Sequence, residues 1–209
     1  MAMSPPLPGV EERQQDREVA PLKPLLSLSS LIDALNERVG RTVYWLILVM
    51  VVVSAGNATV RYLFNTSSNA WLEVQWYLFS VVFLLSAGYT LLKNEHIRID
   101  VVTGRMSRRV QLWIDILGTI FFLFPMTLLI LKLSWPMVAE SFARNEMSGD
   151  AGGLLRWPVK AMIPLGFGLL LLQGLSELIK KIAILNGILP DPGEHGQHAP
   201  IAPLEGDAR

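Results

Sequence analysis

The chain has 209 residues, 51% of them hydrophobic, a mean hydropathy of +0.40 and a formal charge of zero. The absence of cysteine excludes disulfides, thiolate catalysis and cysteine-held zinc or iron–sulfur centres. Of the three histidines, His195 and His198 lie in a polar tail, so a haem held by two histidines is excluded from the apolar part; the balanced charge points to no nucleic-acid partner.

Residues 1–24 are rich in Pro, Glu, Gln and Arg and lack the apolar core of a signal peptide, so a disordered cytoplasmic leader is expected. From Leu25 to Val39 the residues Leu28, Leu31, Ile32, Leu35 and Val39 recur at helical spacing among Asp33, Asn36, Glu37 and Arg38. This predicts an amphipathic helix on the membrane surface, with Gly40 as a break before the first span. Thr42 to Val60 is uncharged over 19 residues, enough at about 1.5 Å per residue to match a ~30 Å hydrocarbon core. Its far end carries small residues and Asn57, which suit helix–helix contact.

The second span centres on Val74–Leu92, again 19 residues without charge. Glu73, Trp76, Tyr77 and Ser80 stand at i, i+3, i+4 and i+7 and so share one helix face. That face is read either as a partner surface or as a water-facing carboxylate beside an aromatic belt. The segment Lys93–Arg109 is strongly basic, and Ser107 is the candidate N-cap of the third helix. The third span is expected near 109–134, kinked by Pro125, with Trp135-Pro136 marking its exit. Asp115, near its start, is expected to pair with Arg98 or Arg108, or to face water. The 138–156 segment ends in Ser148–Gly153, read as a flexible loop. Pro158 opens the fourth span, about 157–184.

The domain reading is therefore a leader over 1–24, a four-helix membrane domain over 25–186 with spans near 42–61, 71–92, 109–134 and 157–184, and a disordered cytoplasmic tail over 187–209. The fold class is an all-α integral membrane protein with an N-terminal amphipathic surface helix. Four spans put both termini on one side. Thirteen of the 18 Lys and Arg residues fall on that side, which makes it the cytoplasm. No Ser–His–acid set, HExxH motif or pair of intramembrane carboxylates is present, and the cores of the spans hold no ionisable residue. The chain reads as a structural membrane subunit, not an enzyme, with no catalytic, metal or cofactor site of its own. The alternatives are a small self-assembling channel or carrier, or a non-haem membrane anchor subunit.

The four spans, the Glu73-x-x-Trp76-Tyr77 entrance and the His96-Ile97-Arg98-Ile99-Asp100 exit together resemble the small, DctQ-type permease subunit of TRAP (tripartite ATP-independent periplasmic) transporters. The similarity runs from about Leu25 to Asn186. Ile114-Asp115, Ser134-Trp135-Pro136 and Gly152-Gly153 through Lys160 are similar to a subgroup labelled for mannitol or chloroaromatic compounds. The resemblance implies a large multi-helix permease subunit as partner, holding substrate and sodium ions, and a periplasmic solute-binding protein that docks from outside. It implies sodium-driven uptake of an organic acid across the bacterial inner membrane, with this chain bracing the static scaffold among membrane lipids. Under it, Glu73, Trp76, Tyr77, Ser80 and Asn57 are subunit-interface residues or close the outer edge of the bundle. Arg98, Asp100 and Asp115 fix the cytoplasmic loop. Glu140, Arg144, Glu146, Asp150 and Arg156 form the periplasmic loop that either docks the binding protein or is a solvated connector.

Overall fold

The computed structural model describes residues 23–66, 68–93 and 106–191. The expectations for the leader 1–22, for Arg98 and Asp100, and for the tail beyond 191 lie outside the described residues. Among the described residues the fold is all α: α1 Lys23–Phe64, α2 Asn69–Leu92, α3 Arg108–Gly118, a π-helical turn Thr119–Leu123, α4 Phe124–Ala143 and α5 Trp157–Leu185. Four helical stretches, with α3 and α4 counted as one rod over Arg108–Ala143, carry 18-residue windows of mean hydropathy 1.4 to 2.2, which makes each long and apolar enough to cross a membrane. The packing is inside-out relative to a water-soluble bundle. Trp45, Trp76, Phe83, Phe122 and Trp135 point outward, whereas Ser29, Asn36, Thr127, Gln173 and Ser176 are buried. With hydrocarbon outside, apolar burial drives little association, so small residues and polar pairs hold the helices together.

α5 is the central element, packed against α1, α2 and α4, and α1 also lies along α2. One end of the bundle holds the start of α1 and the ends of α2 and α5; we call it the terminus end. The opposite end holds the α1–α2 link and the segment between α4 and α5; we call it the hairpin end. Glycines set the closest approaches. A Cβ on Gly166 would lie 2.5 Å from the Leu84 carbonyl oxygen, and one on Gly88 would lie 2.2 Å from Asn36 Oδ1.

Gly40 does not break the chain. α1 is one helix of 42 residues, about 63 Å at 1.5 Å per residue, and Gly40 lies inside it. A mid-helix glycine costs only about 1 kcal/mol relative to alanine. Here it seats the Tyr89 ring, whose Cγ would be 2.3 Å from a Cβ at position 40. The amphipathic segment is thus continuous with the first apolar span in one helix. Its buried stripe, Ser29, Ile32, Asn36, Gly40 and Val43, is largely polar or small, and its leucines face outward.

The irregularity expected at Pro125 takes the form of the π turn. Proline has no N–H to give the Phe121 carbonyl four residues back, and in the turn before it the Phe124 N–H reaches five residues back to the Thr119 carbonyl. The helix does not end at Trp135-Pro136, because α4 continues through it to Ala143. A single proline removes one backbone bond, which a long helix tolerates when its neighbours re-satisfy the freed carbonyl. Ser107 occupies the N-cap of α3 through its backbone; its carbonyl accepts from the Val110 and Gln111 N–H groups. At the far end of α5, Gly187 (φ +71°) closes a Schellman turn, with the Ile188 N–H bonded to the Ala183 carbonyl. The chain then continues as far as Asp191, which accepts two hydrogen bonds from Arg108 at 2.6 and 2.8 Å, so 187–191 are tied to α3.

Candidate functional site

The described residues hold no group of three His, Cys, Asp or Glu side chains able to bind a metal ion. Polar side chains gather in three places, each produced by helical spacing.

The first is the hairpin end. Asn69, Glu73 and Tyr77 recur every four residues and form one stripe of α2. Asn69 donates to the Ala151 carbonyl (3.2 Å), Glu73 accepts from the Leu154 N–H (2.6 Å), and Tyr77 donates to the Leu155 carbonyl (2.8 Å). The stripe staples the 144–156 segment to α2. That segment forms a hairpin, and the Ser148–Gly153 stretch read as a loop makes its turn. Met147 and Leu155 form a bridge, Ser148 N–H meets the Leu154 carbonyl, and Arg156 N–H meets the Glu146 carbonyl. Gly152 (φ +74°) makes the turn, and Gly153 allows the approach, since a Cβ there would lie 2.4 Å from Ser148 Cβ and 2.9 Å from Glu73 Oε1.

The four-residue face read from the sequence is therefore divided. Glu73 and Tyr77 close the edge of the bundle on its own hairpin, Ser80 bonds the Trp76 carbonyl of its own helix, and Trp76 projects outward at 69% exposure. Among the hairpin residues, Glu140 pairs with Arg144 and Glu146 with Lys160, while Asp150 and Arg156 are exposed. The Lys160 ammonium, with help from Ser141, holds the Glu146 carboxyl below the usual glutamate range. A lowered folded-state pKa gives a contribution that is present above the unfolded value and lost as the pH falls through the folded one. Protection of the hairpin amides, taken relative to their intrinsic exchange rates at each pH, should therefore fall under acid conditions below the ordinary glutamate range. Glu146→Gln should show the lower protection already at neutral pH, and hairpin protection in the native chain that does not change with pH would contradict this anchor.

The second place is the terminus end, where α1 meets α5. Asp33 accepts from Gln173 Nε2 (2.8 Å), Ser176 Oγ (2.6 Å) and Lys180 Nζ (3.0 Å). Ser29 and Ser176 share a hydroxyl contact at 2.7 Å, and Lys180 also bonds Glu177. Asp115 pairs with Lys181 at 3.0 Å, not with Arg108, whose guanidinium is turned to Asp191. Lys181 comes from α5, a helix that the local reading of the basic segment had no reason to consider.

The third place is the outward groove between α1 and α2 at the hairpin end. Ser54, Asn57, Arg61 and Gln75 line it, with Trp76 and Phe79 on its continuation. Asn57 and Gln75 are half-buried, and neither side-chain amide is hydrogen-bonded among the described residues. An unpaired amide beside hydrocarbon is costly, which makes this groove, among the described residues, a polar surface suited to a partner.

A family model described as "Tripartite ATP-independent periplasmic transporters, DctQ component" matches residues 49–183, more than half of the chain. The chain belongs to the DctQ family. Searches of curated proteins and of solved structures gave no match. Membership makes the chain a small membrane subunit of a TRAP transporter, a transporter component that assembles with a large permease subunit and a binding protein. Within this DctQ chain, sequence reasoning missed the α1–α5 polar cluster. The signal was present as Ser29, Asp33, Asn36 and Gly40 on one stripe and Gln173, Ser176, Glu177 and Lys180 on another. Neither stripe shows by itself that it faces the other.

Proposed function

We propose that this subunit braces the scaffold of the large permease subunit during sodium-driven, binding-protein-dependent uptake of an organic acid. It sits in the bacterial inner membrane with both termini in the cytoplasm, and the sodium ions and the substrate bind in the large subunit. The observation that carries the bracing role is the outward α1–α2 groove, with its unpaired Asn57 and Gln75 amides and its projecting Trp76. A helix of the large subunit placed there pairs the amides and covers the indole. The stapled hairpin, carrying exposed Arg144, Asp150 and Arg156, supports the docking reading of the outer loop, because an ordered surface binds without first losing conformational entropy.

The test is purification of the tagged chain in mild detergent from its native host, with sodium-dependent uptake measured in parallel. Trp76→Ala combined with Asn57→Ala is expected to lower co-purification of the large subunit. A buried aromatic anchor typically contributes about 2 kcal/mol, roughly thirtyfold in affinity, and a membrane amide pair about 0.6 kcal/mol. Undiminished complex yield and uptake in that variant would exclude the groove as the subunit contact. A chain that purifies alone and conducts ions in liposomes would instead favour a self-assembling channel.

A further inference from the structure

We propose that Arg38 and Arg41, with Trp45 beneath them, form a binding site for the headgroup of an anionic phospholipid at the terminus end of α1. Leu31, Leu35, Arg38, Thr42 and Trp45 follow at four-, three-, four- and three-residue steps and make one stripe. It lies opposite the buried stripe of Ser29, Ile32, Asn36, Gly40 and Val43, so it is turned away from the rest of the bundle. Leu31, Leu35 and Trp45 are 67%, 45% and 71% exposed, so no described residue covers them. Together with Glu37, Arg38 and Arg41 they line a shallow depression of about 640 Å³.

Depth and charge identify the occupant. Arg41 is the last charged residue before the uncharged Thr42–Val60 run, and Lys93 is the first after Val74–Leu92. Lys93 reaches Glu37 at 3.7 Å, which places both helices at the same level. This is the level where hydrocarbon ends, and an indole just inside it is the usual interfacial anchor. Three cations stand at this level, and two of them share one carboxylate. Glu37 bonds Arg41 at 2.7 Å and divides its charge with Lys93, while Arg38 forms no ion pair among the described residues. Guanidinium groups bind phosphate oxygens in a fork, and a second anion satisfies the surplus of positive charge. Trp45 lies one turn further into the uncharged run than Arg41 and is 71% exposed. A phospholipid supplies both parts: its headgroup the anion for the guanidinium groups, and its acyl chains, running inward from that headgroup, the apolar cover for the indole.

The test is native mass spectrometry of the full-length chain in mild detergent, titrated with phosphatidylglycerol and, separately, with phosphatidylcholine. The native chain is expected to bind phosphatidylglycerol more tightly. Each basic side chain near an anionic lipid surface contributes about fivefold, so Arg38→Gln with Arg41→Gln should weaken phosphatidylglycerol roughly 25-fold and leave phosphatidylcholine unchanged. Glu37→Gln removes the competing carboxylate and should tighten phosphatidylglycerol severalfold, an outcome that a merely damaged fold does not give. Unchanged phosphatidylglycerol binding in the double variant, equal losses for both lipids, or no tightening in Glu37→Gln overturns the site.

Discussion

Gly166→Leu is expected to destabilise the subunit by about 3 kcal/mol or more, the upper range for forcing side-chain volume into a packed interface. A Cβ at position 166 would lie 2.5 Å from the Leu84 carbonyl oxygen and 2.8 Å from its carbon. These are backbone atoms of α2, so no rotamer change relieves the contact, and the two helices must separate. The α2–α5 contact that would open is the most extensive in the bundle. The hairpin that leads into α5 is stapled to the same α2, so the loss should spread to the outer surface. Gly168 provides the control two residues away. A Cβ there meets nothing within 4 Å, and Gly168→Leu should leave stability within about 0.5 kcal/mol or raise it slightly through helix propensity. Thermal unfolding in detergent distinguishes the two. Equal midpoints for both variants would show that the α2–α5 approach is not as close as the structure has it.

Asp33→Leu is the second large effect. Asp33 accepts hydrogen bonds from Gln173, Ser176 and Lys180, and the first two are fully buried. Removing the acceptor leaves their donors partly unsatisfied next to a lysine that retains only Glu177 as its ion-pair partner. Breaking a buried pair costs about 3–5 kcal/mol. Asp33 and Lys180 keep 26% and 27% of their side-chain surface exposed, so about 2–3 kcal/mol is the discounted expectation here. Asp33→Asn should fall between, since it retains a carbonyl oxygen for Ser176 and Gln173 and loses the charge that faces Lys180. Glu140→Gln, which breaks the exposed Glu140–Arg144 pair, should change stability by less than about 0.5 kcal/mol. If Asp33→Leu is as mild as Glu140→Gln, the α1–α5 cluster does not hold the helices together.

Both predictions rest on contacts between elements distant in sequence, and there the reading from sequence stopped. The four apolar stretches were legible because hydrocarbon thickness fixes the length and polarity of a spanning segment, whatever its neighbours. Pro125 and Pro158 were legible because a missing N–H acts on the chain's own helix. The face shared by Glu73 and Tyr77 followed from helical spacing, but its target did not. A carboxylate at a membrane edge fits a partner subunit, water or its own hairpin equally well by type. Only the packing of α2 beside α5 brings the Leu154 N–H within 2.6 Å.

Gly40 shows the same limit from the other direction. In isolation a glycine between an amphipathic and an apolar segment reads as a break. In the fold, the Tyr89 ring against it rewards an uninterrupted helix. Asp115 was read as pairing with Arg98 or Arg108 or facing water, whereas Lys181 lies 66 positions further along and only the crossing of α3 with α5 brings it within 3.0 Å. The sequence by itself determined an all-α membrane subunit of the DctQ type, because periodicity, hydropathy and family motifs are properties of contiguous residues. The tertiary structure alone decided which polar groups are already paired inside the subunit and which, as in the Asn57–Gln75–Trp76 groove, remain turned outward. In a bundle held together by polar and small residues, rather than by apolar burial, those pairings depend on how helices approach one another and not on any single helix.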